Sequence, residues 1–214
     1  MGQHTIFFDL DGTLIDSKPG VTKSFSRALR DFGIDASPDS LQKVIGPPLG
    51  DSFRSFGLQD DTVNDAVAQF TRYYKADGIF DLSVYEGVPE MLQTLRGAGK
   101  RLFLATSKQE DSAIRILEHF GLAPCFAGIT GASTALNRLT KTDVLRCACE
   151  RYGVDAGAGC VMAGDREHDV HGAHDVGMPC IGVLYGYGTR RELEEAGADA
   201  LAPSVADLET RLLA

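Results

Sequence analysis

Thr5-Ile6-Phe7-Phe8-Asp9-Leu10-Asp11-Gly12-Thr13 passes from a β-branched and aromatic tetrad straight into two carboxylates and a glycine turn. So short a run, apolar after its first residue, predicts a strand buried on both faces, as in a parallel sheet. The carboxylates then emerge together at its C-terminal end. Side chains two apart on a strand share a face. Like charges that close raise one pKa unless a cation or a proton intervenes. A divalent metal is the simplest remedy. Gly12 frees the turn, and Thr13 supplies a hydroxyl. Asp-Gly is also an ordinary turn between strands, so this stretch leaves both readings open.

Residues further along converge on it. Arg101-Leu102-Phe103-Leu104-Ala105 predicts a second strand ending at Thr106-Ser107-Lys108, where hydroxyls and a cation meet a phosphate. Open parallel sheets bind ligands at such strand ends. Cys160-Val161-Met162-Ala163 predicts a third, ending at Gly164-Asp165-Arg166-Glu167-His168-Asp169. Its two Asp residues, four apart, suit a hard, oxygen-loving cation. Thr140-Lys141-Thr142-Asp143 places Lys141 at the start of a helix running through Cys147, within reach of a phosphate.

This ordered set resembles the haloacid dehalogenase-like hydrolase superfamily over almost the whole chain. The resemblance is greatest to its small-helical-cap phosphatases, typified by phosphoglycolate phosphatase and certain bacterial 5′-nucleotidases. It implies a Rossmann-like α/β core with a mainly parallel sheet and an inserted helical-bundle cap. It further implies Asp9 as aspartyl nucleophile, Asp11 as general acid/base, Thr106 with Ser107 and Lys141 at the phosphate, and Asp165 at the metal. Asp169 matches the accompanying acidic position; Gly12 and Thr13 support the first motif. The implied metal is Mg²⁺, held by Asp9, Asp165 and the backbone carbonyl of Asp11. Two positions depart from the pattern: Ser107 stands where Asn is common, and Thr142 where Pro is frequent. Neither carries the chemistry. Gly164-Asp165-Arg166 and Gly182 to Gly188 are more similar to the nucleotidase-like branch.

The implied reaction is in-line attack on a small phosphorylated metabolite, phosphoglycolate or a nucleoside 5′-monophosphate, through an aspartyl-phosphate. Asp11 argues against carbon-halogen cleavage, because a departing halide needs no proton. A phosphomutase using the same two Asp residues remains an alternative. So does a phospho-accepting signalling protein, although receiver-type domains lack a long helical insertion.

Composition sets bounds. A chain of 214 residues with 43% hydrophobic residues builds one core, or a core with a small insertion. A formal charge of −9 and a pI near 5.0 disfavour nucleic acid and anionic membranes, so local cations must draw in the phosphate. No apolar run approaches the roughly 20 residues a membrane span needs, and no signal pattern precedes the first strand. A cytoplasmic monomer or homodimer is expected. Cys147 and Cys149 flank Ala148, and no C-x-x-C pair occurs among the five cysteines, so reduced thiols are expected.

The stretch from Ser17 to Leu82 interrupts the alternation. Val21, Phe25, Ala28, Leu29 and Phe32, and later Val63, Ala66, Val67, Phe70, Tyr73 and Tyr74, recur at three- and four-residue spacing. The expected division is a core of 1–16 and 84–214 and a helical cap of 17–83, hinged near Asp16 and Val84. Helices are expected from Pro89 to Ala98 and Asp111 to Phe120, and strands at Ala127–Thr130 and Cys180–Leu184. The glycine-rich stretches lack the G-x-G-x-x-G context of a dinucleotide site. Specificity is expected from the cap. Gly46-Pro47-Pro48-Leu49 is the candidate turn, and Lys18, Pro47, Arg54 and Lys108 are candidate substrate contacts, with surface or capping duty the alternative for the cations. His168, His171 and His174 read either as a transition-metal run or as a solvated helix face. Tyr185 and Tyr187 either lean toward a substrate or close the sheet edge.

Overall fold

The computed structural model describes residues 4–45, 49–157 and 159–214. Thr5–Phe8 forms β1, with all four residues buried, and Ile15–Asp16 forms the short β2. Helices follow: α1 Lys18–Asp31, α2 Leu49–Ser55 and α3 Asp60–Ala76. Strand β3 (Ser83–Val84) pairs with β2 in a small separate sheet. Then come α4 Val88–Gly97, β4 Arg101–Gln109, α5 Glu110–His119, β5 Gly128–Ala132, α6 Lys141–Tyr152 and β6 Cys160–Gly164. The chain continues through α7 Glu167–Asp175, β7 Cys180–Val183, α8 Arg190–Glu195, β8 Ala200–Ala202 and α9 Val205–Leu213.

Six strands form one sheet in the order β5-β4-β1-β6-β7-β8, every pairing parallel. The first strand lies inside the sheet, between β4 and β6, and like β6 and β7 it is buried along its whole length. Phe8 pairs with Leu104 of β4 and with Ala163 of β6. Succession runs outward from β4 to β5, then returns beside β1 and runs outward from β6 to β8. Such a reversal opens a crevice at the C-terminal strand ends. Around it Phe7 stacks on Phe103 at 5.2 Å, and Tyr152 of α6 tilts onto Phe103 at 5.2 Å. Phe7 and Phe103, both fully buried, each contribute roughly 1.5–3 kcal/mol.

The chain divides into two compact units, Met1–Asp16 with Val84–Ala214, and Ser17–Ser83. The second is helical, with Phe25 stacked on Phe53 at 4.1 Å and against Phe70, which in turn stacks on Tyr74. Phe25, Ala28, Leu29, Val63, Ala66, Phe70 and Tyr74 are buried there.

The structure differs from the expected elements in several places, the paired β2 and β3 at the two hinges among them. Strand β4 does not stop at Ala105: it runs to Gln109, with a register shift between Thr106 and Gln109 where it pairs with β5. Polar residues continue the strand because its last ladder bonds are made at the rim, where no apolar face is needed. Beyond β7 the sheet gains β8, so Tyr185 and Tyr187 do not close its edge. Ala200-Leu201-Ala202 is too short to register as a periodic signal. The flanking α8 and α9 were also not foreseen, although Thr189 and Ser204 each accept a bond from the backbone three residues on, at Glu192 and Asp207.

Candidate active site

Asp9 follows β1 directly, and its backbone N–H extends the ladder to the Ala163 carbonyl at 3.0 Å. That bond fixes where the side chain leaves the sheet. Asp165 follows β6 in the same way, fully buried. Asp169 lies in the first turn of α7 and accepts the Arg166 backbone N–H at 3.1 Å. Carboxylate oxygens of Asp9, Asp165 and Asp169 all lie within 4.8 Å of one another. Two glycines permit this crowding. At Gly12, where φ is +79°, an added Cβ would strike the Asp165 carboxylate; at Gly164 it would strike that of Asp169.

Lys141 opens α6 from Thr140, whose hydroxyl accepts the Asp143 backbone N–H while Asp143 accepts the Thr140 N–H, a complete capping box. Its ammonium is buried against three oxygens: the Ala105 carbonyl at 3.0 Å, Asp9 Oδ1 at 2.8 Å and Asp169 Oδ1 at 2.7 Å. Burial disfavours that charge, but Asp169 and Asp9 outweigh it and hold the Lys141 pKa above its ordinary value. Burial pushes Asp9 up to about 6 despite Lys141, with Asp169 and Asp11 adding repulsion. Asp165 is driven well above the carboxylate range, first by burial, then by Asp169 and Asp9.

Three buried carboxylates facing one ammonium are therefore short of positive charge. The donor set is all oxygen and matches a hard divalent cation. Asp165 Oδ1 is buried with no hydrogen-bond donor, a vacant acceptor aimed into the cluster. Its other oxygen accepts the Tyr187 backbone N–H at 2.7 Å. The residues fit a divalent metal.

The remaining candidates divide. Thr106 is buried, and its Oγ1 accepts the Lys108 backbone N–H at 3.2 Å; Ser107 is exposed. Lys108 reaches Asp11, its ammonium 2.8 and 2.9 Å from the two carboxylate oxygens. Thr13 is buried and offers its carbonyl to the Tyr185 hydroxyl at 3.1 Å. Arg54, in the helical unit, is occupied by Asp60 at 2.7 Å and Asp51 at 2.8 Å. Lys18 is the first residue of α1 in the same unit. Gly46, Pro47 and Pro48 lie outside the described residues. His168, His171 and His174 are exposed along α7, and His174 pairs with Asp199 at 3.0 Å. All five cysteines are free. No described helix is long and apolar enough to cross a membrane.

Sequence reasoning missed the supports around these groups. Arg166 and the Glu167 backbone N–H both bind Glu192 Oε1, at 2.6 and 3.1 Å, tying α8 to the junction between Asp165 and the first turn of α7, which carries Asp169. Tyr187, whose backbone holds Asp165, also donates its hydroxyl to Asp16 at 2.9 Å. The Thr-x-x-Glu spacing at 189–192 marked a helix start, but nothing local marked its partner.

The family model of haloacid dehalogenase-like hydrolases matches residues 6–183. The chain belongs to this family. Across 191 residues this hydrolase is 39% identical to a 5′-nucleotidase of Pseudomonas aeruginosa, covering 88% of this chain and 86% of that protein. It is 40% identical over 184 residues to the tyrosine-protein kinase PtkA of Mycobacterium tuberculosis, covering 86% of this chain and 62% of that longer protein. The crystal structure of a predicted phosphatase from Clostridium acetobutylicum superposes on the whole hydrolase with a TM-score of 0.92 at 40% identity, covering 99% of that chain. Members of the family generally use a divalent metal, and the acidic cluster agrees with that.

Proposed function

We propose that this hydrolase is a Mg²⁺-dependent phosphatase of small phosphomonoesters, acting through an aspartyl-phosphate on Asp9. One observation carries the reading: a buried Asp9 held by Lys141 inside the acidic cluster, with a second carboxylate, Asp11, outside it on a separate cation. Two carboxylates in distinct surroundings suit two distinct roles.

Asp9 attacks phosphorus as the bond to the ester oxygen breaks, and Asp11 gives its proton to the leaving alkoxide. Asp11 then takes a proton from water as that water attacks phosphorus, and inorganic phosphate leaves Asp9. Lys141 balances charge on the phosphoryl oxygens, with Thr106 and Ser107 as hydroxyl donors. Asp9, Asp165 and the Asp11 carbonyl would hold Mg²⁺, steadied by Asp169; bound there, it supplies charge stabilisation to the phosphoryl group. The helical unit acts as a cap that selects the leaving group.

The substrates proposed are soluble metabolites of the phosphoglycolate or nucleoside 5′-monophosphate kind, met in the cytoplasm without nucleic acid or membrane. The test is phosphate release from a panel of phosphoglycolate, nucleoside monophosphates and sugar phosphates, with and without Mg²⁺, using Asp9→Asn as control. Release that needs both Mg²⁺ and Asp9 is expected. Isomer interconversion with little phosphate release would point to a mutase. The likeness to PtkA adds one arm: incubation with ATP and a tyrosine peptide, for which no phosphotyrosine is expected.

A further inference from the structure

Lys108 has no place in the chemistry above, yet among the described residues it joins Lys141 in contacting a site carboxylate. Its side chain is only 10% exposed, against 25% for Asp11, and it straddles both Asp11 oxygens at 2.8 and 2.9 Å. Holding a long, flexible side chain in one rotamer costs entropy, which the two contacts to Asp11 offset. Among the described residues, no other donor reaches the Asp11 carboxylate. The phosphate-binding cation is already supplied by Lys141, which contacts Asp9 and Asp169. Lys108 instead sits in the register shift of β4, its backbone N–H pinned to Thr106 Oγ1. One strand end therefore sets both the phosphate-facing hydroxyl and the ammonium on Asp11.

We propose that Lys108 is a positioning residue for the proton-transfer carboxylate Asp11, not a contact for the substrate's leaving group. The inference rests on the phosphatase reading above. Lys108 makes and breaks no bond to substrate. It fixes the rotamer and plane of Asp11, so that the carboxyl meets the ester oxygen at hydrogen-bond distance. Misplacing a proton-transfer group by about 1 Å costs on the order of 100-fold, and in kcat/KM, which reads the steps up to release of the alcohol, the cost falls only where the leaving group needs the proton.

The test compares kcat/KM for benzyl phosphate and p-nitrophenyl phosphate, two esters of similar size. The first releases a basic alkoxide, the second a stable anion that leaves without protonation. With Lys108→Met, and with Lys108→Gln as a second variant should the first not fold, kcat/KM for benzyl phosphate is expected to fall at least about 10-fold. For p-nitrophenyl phosphate it should stay within about 3-fold of wild type. Equal losses on the two esters would overturn the proposal and return Lys108 to substrate binding or structure. No phosphate release by the wild type from these esters or from any member of the metabolite panel is a different result, for it removes the phosphatase reading itself.

Discussion

Asp165 shows what burying a carboxylate among other carboxylates costs. Burial and the repulsion of Asp169 and Asp9 oppose its ionisation, and one of its oxygens has no donor. Asp165→Asn keeps the shape and removes the charge. Without metal, this variant is expected to melt above the wild type at neutral pH, by roughly 1–3 kcal/mol of added stability. It should also lose Mg²⁺ binding by calorimetry. A lower melting temperature with binding intact would show that Asp165 is a structural acceptor only. Asp9→Asn is expected to abolish turnover. More than a few per cent of wild-type activity, in a preparation free of host phosphatases, would reject Asp9 as nucleophile.

At the level of elements, the acidic cluster depends on how α7 begins. Its first turn carries Asp169, and one of its N-terminal donors, the Glu167 backbone N–H, is met by Glu192 from α8, which also binds the Arg166 side chain. Glu192 is itself held below its ordinary pKa: burial works against its charge, but Arg166 and the Glu167 backbone outweigh that. Groups that orient metal ligands from behind typically matter 10- to 100-fold in affinity. Glu192→Gln keeps the length but weakens the charge-assisted bond. It is expected to lower Mg²⁺ affinity about 10-fold by calorimetry, with unchanged secondary structure by circular dichroism. Unchanged affinity would place the α8 contact outside the site's support. In the helical unit, Phe53 stacks on Phe25 with both rings buried. Phe53→Ala should cost about 3–5 kcal/mol. Faster hydrogen exchange confined to 17–83 would localise that loss, whereas exchange spread equally over both units would contradict it.

For the molecule as a whole, pH sets charge at the cluster. The Asp9 pKa lies at about 6 in the folded, metal-free protein against an ordinary 3.8. A raised carboxyl pKa contributes stability that is complete below the unfolded value and is lost as pH climbs through the folded one. Asp165 shifts in the same direction. The metal-free protein is therefore expected to lose stability between about pH 4 and pH 6 on this account. Mg²⁺ reverses the trend, since it competes with protons for the same oxygens. Thermal melts at several pH values, with and without Mg²⁺, check this: a metal-induced rise in melting temperature should grow from pH 5 to pH 7.5.

Much of this molecule was legible in order along the chain. Thr5 to Phe8 reads as a strand buried on both faces because no polar residue interrupts it after Thr5. Asp9, Lys141 and Asp165 read as site residues because each follows an apolar strand or opens a helix, and those are positions that local patterning reports. The two helical stripes of 17–83 were equally plain, since a 3.6-residue period needs no knowledge of its partner. Tertiary structure alone decided that Lys108 grips Asp11 across 97 positions, that Glu192 ties down the start of α7 and that Tyr187 bridges Asp165 and Asp16. It also decided that β8 extends the sheet. These are contacts between segments with no shared period or motif. Their partners are chosen by the packing of strands into one sheet, which brings distant strand ends within a few ångströms, and a linear pattern carries no record of that distance.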